Sequence, residues 1–209
     1  AEVADSNYTV VFADKTYSIV AKVIDLSNLS ISNTTETYTG EKQEVQISLK
    51  DADLGMPEGL SASVVYKYTQ GGTEIDPIDV GEYTVSATVS AKNSNYVLPE
   101  DYEITGTLTI IPATLRIALA DTAVTESIYG GKIASYVKDT DFTVVGIVER
   151  DEAKDLGITV KAYKEYVEAT ETEVASKIEL QAGDNVGTYP IKAEVADSNY
   201  TVVFADKTY

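Results

Sequence analysis

Hydrophobic and polar residues alternate with a period of two along most of the chain. In the clearest segment Tyr83, Val85, Ala87 and Val89 alternate with Thr and Ser. The pattern recurs around four other sets of apolar positions: Val45, Ile47 and Leu49; Leu60, Ala62, Val64 and Tyr66; Phe142, Val144 and Val148; Ile158, Val160 and Ala162. Such alternation puts one face of a strand on a core and the other in water, as in antiparallel sheets. The pattern therefore predicts a mostly β fold.

Two segments interrupt the alternation and can hold a short helix. They are residues 50–60 and residues 148–156, each lying between one predicted strand pair and the next. Helices of this length are only marginally stable by themselves. A strand pair, a short helical crossover and further strands follow the order of a β-grasp. We therefore expect an α+β variant of the mostly β class, with antiparallel strands and at most short helices.

The two ends of the chain carry the same sequence. Residues 1–17 read AEVADSNYTVVFADKTY and recur letter for letter as residues 193–209. A shared fold alone would preserve the apolar alternation and let exposed positions such as Glu2, Asp5 and Lys15 drift. Their recurrence points to near-identical tandem copies in a parent protein, with duplication during cloning as the alternative. On the first interpretation the chain is slightly more than one unit of a longer array.

A second, weaker repeat lies inside that unit. A Val-Gly-x-Tyr motif occurs at residues 80–83 and 186–189, and an Asn-Tyr motif follows at residues 95–96 and 199–200. Upstream of these motifs, Tyr38-Thr39-Gly40 matches Tyr129-Gly130-Gly131. The Gly suits a strand entry and the Asn suits a turn, so the motifs are interpreted as structural. The recurrence predicts two related modules arranged as an elongated unit.

The repeats place three boundaries on the chain. Residues 1–24 are the C-terminal part of a preceding module, residues 25–112 form the first β-grasp-like module, and residues 113–209 form the second. The second module then lacks its last strand, the equivalent of residues 18–24. We expect either an unpaired strand edge between Tyr189 and Tyr209 or pairing there with another molecule.

The order of these motifs resembles a known module family. The chain resembles the "mostly β-grasp" (YGX-type) modules of bacterial surface proteins. The resemblance rests on Tyr-Gly at residues 129–130, the Val-Gly-x-Tyr and Asn-Tyr motifs, and Leu-Thr-Ile at residues 108–110 before Pro112-Ala113. The chain is also similar to the long repeats of lactobacillal mucus-binding proteins, each built from two β-grasp-like subdomains. Tyr38-Thr39-Gly40 departs from the Tyr-Gly pattern in the first module. The resemblance implies an extracellular, cell-wall-anchored adhesin or biofilm protein of a Gram-positive bacterium.

Composition excludes several classes of function. The chain has 16 basic and 34 acidic residues, a net charge of -18, which repels phosphate backbones and anionic lipid, so neither nucleic acid nor membrane is an expected partner. It has no His, Cys or Trp, which rules out thiolate chemistry, Cys/His zinc sites and imidazole catalysis. Phosphate-binding motifs are absent and no motif supports a paired-carboxylate site. We expect no enzyme and no cofactor.

Tyrosine and acidic residues provide the candidate binding positions. The chain has 15 Tyr and 3 Phe, and a Tyr-rich surface patch suits glycan or protein recognition. The ligand-binding candidates are Tyr163, Tyr166, Tyr66 and Tyr68. Short-spaced carboxylates suit calcium, and the candidates for it are Asp51, Asp53, Asp139 and Asp141. Tyr is also an ordinary residue of exposed sheets, so a structural role is the alternative for the tyrosines. No acidic grouping, including the one around Asp151, completes a calcium-binding loop, so solvated surface positions are the alternative for the carboxylates.

Two functions follow as hypotheses. In the first, the chain is a stalk or spacer of a surface adhesin that projects a distal binding domain, with neighbouring identical repeats as its partners. Stacked modules contact mainly their neighbours, so copy number sets the length, and the negative charge keeps copies soluble. In the alternative, each repeat binds a host ligand, namely a mucin glycan, an immunoglobulin or a matrix protein, and multiplication supplies avidity.

Overall fold

The chain folds almost entirely into β-strands. The computed structural model describes residues 2–11, 13, 15–50, 55–169, 174–205 and 207–209. In this part of the chain the strands are β1 (Lys22–Val23), β2 (Leu29–Ile31), β3 (Thr34–Thr37), β4 (Ile47–Leu49), β5 (Leu60–Gln70), β6 (Thr73–Glu74), β7 (Gly81–Ala91), β8 (Tyr96–Val97), β9 (Ile104–Ile111), β10 (Ala113–Leu119), β11 (Phe142–Val145), β12 (Thr159–Val167), β13 (Ser176–Glu179), β14 (Pro190–Glu194), β15 (Tyr200–Phe204) and β16 (Lys207–Thr208). Helical structure among the described residues is limited to a 3₁₀ turn, Glu149–Asp151. The predicted mostly β fold is confirmed.

The first group of strands, β1–β9, is built around a five-stranded sheet. Its order is β3-β9-β7-β5-β6, and two small sheets, β2-β4 and β1-β8, accompany it. The inward face of β7 is the one that the alternation predicts, since Tyr83, Val85 and Val89 are exposed by 3% or less. Strand β2 approaches β9 at Gly106, where a Cβ atom would lie 2.6 Å from the side chain of Ile31. Glycine is therefore required at this crossing.

The second group of strands, β10–β16, forms two further sheets. One has the order β11-β10-β15 and the other has the order β13-β12-β14-β16. No described strand of this group pairs with a strand of the first group. Their apolar faces enclose a second core: Ile117, Phe142, Val160, Ala162, Leu180, Ile191 and Ala193. Strand β12 shifts register between Tyr163 and Glu165, which is typical of a β-bulge.

Parallel pairs are the main departure from the predicted pairing. Strand β1 pairs parallel to β8, β3 to β9, and β10 to β15, whereas the alternation predicts antiparallel sheets. Alternation reports which face of a strand is buried but not the direction of its neighbour. Each of these pairs joins strands that are distant in sequence, so no local signal marks them.

The two predicted helical segments contain no α-helix in their described residues. Residues 51–54 lie outside the described residues, and residues 58–59 form a turn before β5 begins. Positive φ angles at Gly55 (65°) and Gly59 (86°) are incompatible with a right-handed helix there. The second segment contains only the 3₁₀ turn Glu149–Asp151 and the turns that follow it. Among the described residues, no helix is long and apolar enough to cross a membrane.

The two copies of the terminal sequence adopt different structures. Residues 193–209 contribute to β14, β15 and β16, and Tyr200 is only 4% exposed. The described part of residues 1–17 contains no strand, and the equivalent Tyr8 is 69% exposed. Because the sequences are identical, partner strands and not local propensity decide between the two conformations. Strand β14 is paired on both sides, while β15 and β16 are outer strands of the described sheets, and the missing last strand of the second module stays a prediction.

Candidate functional site

The two groups of strands meet at a polar junction whose centre is buried. We define the junction as Tyr38, Gly40, Asp79 and Val80 from the first group and Arg150, Asp151, Asn199 and Tyr200 from the second. At its centre Asp151 is 4% exposed, and its Oδ2 accepts hydrogen bonds from the hydroxyls of Tyr38 and Tyr200, both at 2.8 Å. A buried carboxylate requires such donors, because burial without them is costly. The two rings pack edge to face, with centroids 5.5 Å apart.

Local structure aims these three side chains at one another. The 3₁₀ turn positions Asp151, whose backbone N–H donates to the carbonyl of Val148 at 2.9 Å. The Tyr200 hydroxyl also accepts a bond from the N–H of Val148 at 3.2 Å. Tyr38 follows β3 and remains tied to β9 because its N–H donates to the carbonyl of Ile111 at 2.9 Å. Each tyrosine is therefore also held by a backbone hydrogen bond that is independent of the carboxylate that the two hydroxyls share.

Burial makes both junction hydroxyls harder to ionise than an exposed tyrosine. It raises the pKa of Tyr38 well above its usual range, and the hydrogen bond to Asp151 raises the pKa further. Burial raises the pKa of Tyr200 to about 12, with the Val148 N–H opposing the shift and the Asp151 bond adding to it. Charge-assisted bonds from neutral donors to a carboxylate are stronger than ordinary hydrogen bonds.

Asn199 forms the second polar contact of the junction. It is 7% exposed, and its Oδ1 accepts a bond from the N–H of Val80 at 2.8 Å. Its Nδ2 donates to Oδ1 of Asp79 at 3.0 Å, and its own N–H donates to Oδ1 of Asp197 at 2.9 Å. The Asn-Tyr motif of the second group thus places both of its side chains against the first group.

A guanidinium and a shared core complete the contact. Nη1 of Arg150 donates to the carbonyl of Gly40 at 2.9 Å, where φ is +77° and a Cβ atom would lie 3.1 Å from Cβ of Arg150. The larger hydrophobic cluster is continuous across the junction and includes the second-group residues Ala113, Leu115 and Leu156. The two groups therefore pack as one body and are not connected only by the chain.

The motifs recur with the same local structure in both groups. The Tyr83 hydroxyl donates to the carbonyl of Asp79 at 2.7 Å, and the Tyr189 hydroxyl donates to that of Asn185 at 2.6 Å. The N–H of Asn95 donates to Oδ1 of Asn93 at 2.9 Å, as that of Asn199 does to Asp197. This correspondence makes Asn185 and Val186 the second-group counterparts of Asp79 and Val80, and Tyr96 the first-group counterpart of Tyr200.

Among the counterparts of the junction residues, Tyr129, Val186 and Asn95 are exposed, whereas Tyr96 is partly buried. Tyr129, which corresponds to Tyr38 in sequence, is 71% exposed, and Val186 is 90% exposed. Both line a cleft of about 410 Å³ between residues 125–131 and residues 180–189. In the first group, Asn95 is exposed and the hydroxyl of Tyr96 donates at 2.9 Å to Oε1 of the solvent-accessible Glu58.

The predicted pair Tyr163 and Tyr166 lies on β12 and is brought together by Glu194. Tyr163 is 3% exposed and donates to Oε2 of Glu194 at 3.1 Å, and Tyr166 donates to Oε1 at 3.3 Å. Burial opposes ionisation of Glu194, but bonds from Lys177 and the two tyrosines lower its pKa on balance. Lys177 Nζ also lies 5.3 Å from the Tyr166 ring centroid. Ligand binding at this pair stays a prediction.

Tyr66 and Tyr68 lie on β5 and their hydroxyls are used internally. The hydroxyl of Tyr66 accepts a bond from the N–H of Ile47 at 2.6 Å, and that of Tyr68 accepts one from Val45 at 3.2 Å. Tyr68 is only 4% exposed. These bonds tie the segment around β4 to the large sheet, and a ligand-binding role for the pair also stays a prediction.

The calcium candidates divide between described and undescribed residues. Asp51 and Asp53 lie outside the described residues. Asp139 has a φ of 64°, and Oδ2 of Asp141 accepts a bond from the N–H of Val137 at 2.8 Å, so both belong to one turn. Within the part of the chain that the structure describes, no group of three or more acidic side chains is placed to hold a metal ion.

Sequence reasoning missed the junction as a site. It treated the Asn-Tyr motifs as turn structure and Asp151 as part of a solvated acidic grouping. The hydrogen bond from Tyr38 to Asp151 spans 113 positions of the chain. The available signal was the recurrence of the Tyr-x-Gly, Val-Gly-x-Tyr and Asn-Tyr motifs in both modules. Motifs that recur in diverged modules can belong to a contact surface that both modules share.

Comparisons with known proteins support an adhesin-type module. Residues 27–114, less than half of the chain, match the family model of the MBG domain. The match supports a surface-adhesin-type repeat in this part of the chain, though not specifically the YGX type, and the matched family is one of binding modules and not of enzymes. No curated protein matches the chain.

A solved structure was also found. The chain is similar to SGBP-B of the Bacteroides ovatus mixed-linkage glucan utilization locus, solved in complex with a mixed-linkage heptasaccharide. The identity is 14% and the TM-score is 0.25, with 92% of this chain and 44% of that chain covered. The chain thus spans less than half the length of that protein, and at this TM-score the likeness carries no conclusion about fold or function.

Proposed function

We propose that the chain is a tandem repeat unit of a large, cell-wall-anchored surface adhesin of a Gram-positive bacterium. In this proposal it serves as a stalk that projects a distal binding domain. The match of residues 27–114 to the MBG domain supports the adhesin class. The recurrence of residues 1–17 as residues 193–209 supports a tandem array.

The junction is the observation that carries the stalk role. A spacer has to resist bending where its modules meet, and Asp151 and Asn199 connect the two groups through buried and partly buried hydrogen bonds, respectively. A flexible connection would need no such contact, since loosely joined domains usually share a small, wet interface. The continuous core beneath the hydrogen bonds adds stiffness of the kind expected in a solenoid-like array.

The counterparts of the junction residues extend the proposal from one unit to many. Tyr129 and Val186 in the second group correspond to Tyr38 and Val80, and Asn95 and Tyr96 in the first group correspond to Asn199 and Tyr200. Neighbouring identical repeats would then meet through a second junction of the same design, with the Asn-Tyr motif at residues 95–96 of one repeat entering the cleft of the repeat that precedes it. Each added repeat would extend the stalk by a fixed step.

Proteins of one, two and four repeats test this proposal. Small-angle X-ray scattering is expected to show a maximum dimension that rises linearly with copy number, whereas flexible joints would give a rise closer to its square root. The substitutions Tyr129→Ala and Val186→Ala are expected to leave one repeat unchanged and to shorten the two-repeat and four-repeat proteins. Square-root growth in the unsubstituted series would contradict the stalk role.

The alternative, in which the repeat itself binds a host ligand, is tested separately. A spacer is expected to show no saturable binding on an array of mucin glycans, immunoglobulins and matrix proteins at micromolar concentration. A binding repeat would show affinity as a single copy and much greater retention in tandem. Saturable binding by one repeat would favour the alternative.

A further inference from the structure

The second group of strands contains a cavity beside β12. It has a volume of about 310 Å³ and is lined by residues 133–136 on one side and by residues 158–162 and 179–180 on the other. Every one of these residues is described, and none belongs to the junction or to the terminal repeat. The cavity is therefore a feature of the second group itself.

The sheet register shows which residues of the first group correspond to the cavity wall. The Val-Gly-x-Tyr motif makes β14 the counterpart of β7, and Ile191 then stands where Val85 stands. Ala162 of β12 lies opposite Ile191, and Tyr68 of β5 lies opposite Val85. Ala162 therefore takes the position of Tyr68, and both residues are 4% exposed.

The cavity corresponds to the space that two tyrosine rings fill in the first group. The same register puts Val160 at the position of Tyr66. In the first group the rings of Tyr66 and Tyr68 bridge β5 and the segment around β4, because their hydroxyls accept backbone N–H groups of that segment at 2.6 and 3.2 Å. The side chains of Val160 and Ala162 are smaller and leave this space as a cavity, so its position suits an aromatic ring.

The cavity wall favours an uncharged ring that carries a hydroxyl. Its two charged residues, Lys161 and Glu179, form an ion pair with each other, so neither is left to attract a charged ligand. The backbone N–H groups of Ser135 and Tyr136 donate to no acceptor within the described part of the chain, so they are available to a hydroxyl oxygen. The apolar part of the wall includes Ile133, Ile158, Val160, Ala162 and Leu180.

The edge of β12 beside the cavity has room for another strand. Strand β13 pairs with β12 between Tyr163 and Val167, and next to that ladder the N–H of Leu180 donates to the carbonyl of Ala162 at 3.0 Å. Alternate residues of an antiparallel strand direct their backbone groups to the same neighbour, so those of Val160 point to this side as well. No strand of the described residues pairs with Val160 there. An extended segment can therefore add to this edge.

We propose that the cavity binds the para-hydroxyphenyl ring of a tyrosine in an extended segment of a partner protein. The ring takes the place that Tyr66 and Tyr68 fill in the first group, and the backbone of the segment pairs with the edge of β12. The first group thus supplies its own rings, whereas the second group takes one from outside. A strand edge with a side-chain pocket beside it is a general means of recognising extended peptides. The proposal does not rest on the stalk role, since it involves no residue of the junction.

A titration of the full chain followed by ¹H–¹⁵N NMR tests the proposal. The probe is the blocked peptide TTYTT, whose saturable binding is expected to shift the amide signals of residues 133–136 and 158–162. The peptide TTFTT lacks only the hydroxyl and is expected to bind about tenfold more weakly, the equivalent of one hydrogen bond. The peptide TTLTT lacks the ring and is expected to show no saturable binding. Free para-cresol is expected to shift the same signals at higher concentration, because it cannot pair with the strand edge.

Filling the cavity with a ring of the chain itself gives the matched variant. Ala162→Tyr introduces the residue that the first group has at this position and is expected to abolish saturable binding of the peptide. Thr84→Tyr adds the same residue at an exposed position of β7 and is expected to leave binding unchanged. Because a large residue can overpack a core, Ala162→Val is the milder change. It is expected to weaken binding while circular dichroism shows a folded chain.

Several results would overturn the proposal. It is wrong if TTYTT shows no saturable binding, if TTLTT binds as tightly, or if the shifted signals lie away from the cavity. It is also wrong if the folded Ala162 variants bind TTYTT as tightly as the unsubstituted chain does. Binding of para-cresol without binding of any peptide would overturn the partner segment and make a free phenol the ligand.

Discussion

Removing the shared carboxylate of the junction is expected to destabilise the whole chain. Asp151→Ala leaves the hydroxyls of Tyr38 and Tyr200 without the acceptor that each contacts at 2.8 Å. A hydrogen bond to a charged group contributes about 1.5 to 3 kcal/mol, so the loss of two predicts a decrease of about 3 to 6 kcal/mol in the free energy of unfolding. For a chain of this size, that corresponds to a melting temperature lower by roughly 6 to 24 °C.

The first group of strands offers a matched control for this substitution. Glu58 also accepts a tyrosine hydroxyl, that of Tyr96 at 2.9 Å, but its side chain is 68% exposed. Water can replace this bond, so Glu58→Ala is expected to change the free energy of unfolding far less than Asp151→Ala does. The pair compares the same kind of contact when buried between the groups and when open to solvent.

Urea unfolding followed by circular dichroism and tyrosine fluorescence measures both variants, and the absence of Trp leaves the tyrosine signal unobscured. The unsubstituted chain is expected to unfold in one transition, because the core is continuous across the junction. Tyr38→Phe and Tyr200→Phe are expected to add little cost once Asp151 is absent. If Asp151→Ala costs no more than Glu58→Ala, the junction does not hold the two groups together.

Three further predictions concern pH and backbone geometry. The pKa of Tyr200 is about 12 in the folded chain against an ordinary value of 10.0, so its protonated form contributes about 2 to 3 kcal/mol of stability that is present below pH 10 and lost as the pH rises to 12. The difference in unfolding free energy between the chain and Tyr200→Phe should therefore shrink over that range. A constant difference would contradict this prediction. The pKa of Glu194 is lowered from 4.5, so its contribution to stability is present above pH 4.5 and lost on acidification. Glu194→Gln should therefore reduce the decrease in unfolding free energy that denaturant titrations show below pH 4.5. An unchanged decrease would contradict this prediction. Gly59→Ala would place a Cβ atom 2.2 Å from the Tyr96 ring, whereas the Cβ atom of Gly71→Ala, also at positive φ, meets nothing within 4 Å. Thermal unfolding should show that Gly59→Ala lowers the free energy of unfolding by about 1 to 3 kcal/mol more than Gly71→Ala does. Equal losses would contradict the clash.

Much of the strand framework was predictable from the sequence because burial on one face of a sheet leaves a period-two pattern. Strand β7 illustrates this, since its apolar positions from Tyr83 to Val89 are the buried ones. The parallel partner of β3 was not predictable, because Thr34 meets Leu108 through a pairing that no local pattern encodes. The second segment that was predicted to hold a short helix contains only the 3₁₀ turn Glu149–Asp151, which places Asp151 at the junction through contacts that no local pattern encodes.

The candidate site was less predictable than the fold. Asp151 is indistinguishable in sequence from the other acidic residues, and only the meeting of Tyr38 and Tyr200 makes its burial tolerable. The terminal repeat shows the same limit most directly. Where the structure describes both copies, equivalent residues such as Tyr200 and Tyr8 are buried at one end and exposed at the other, so the partner strands and not the segment decide their structure.

The distance between the two groups of strands tests the central claim that they form one stiff unit. The chain contains no Cys, so Thr84→Cys on β7 and Thr143→Cys on β11, both at exposed positions, would carry two spin labels at defined places. Double electron–electron resonance is expected to give a single narrow distance distribution for the unsubstituted background and a broader one with Asp151→Ala. A broad distribution in the unsubstituted background would contradict the account, because modules that swing freely cannot act as a stiff stalk.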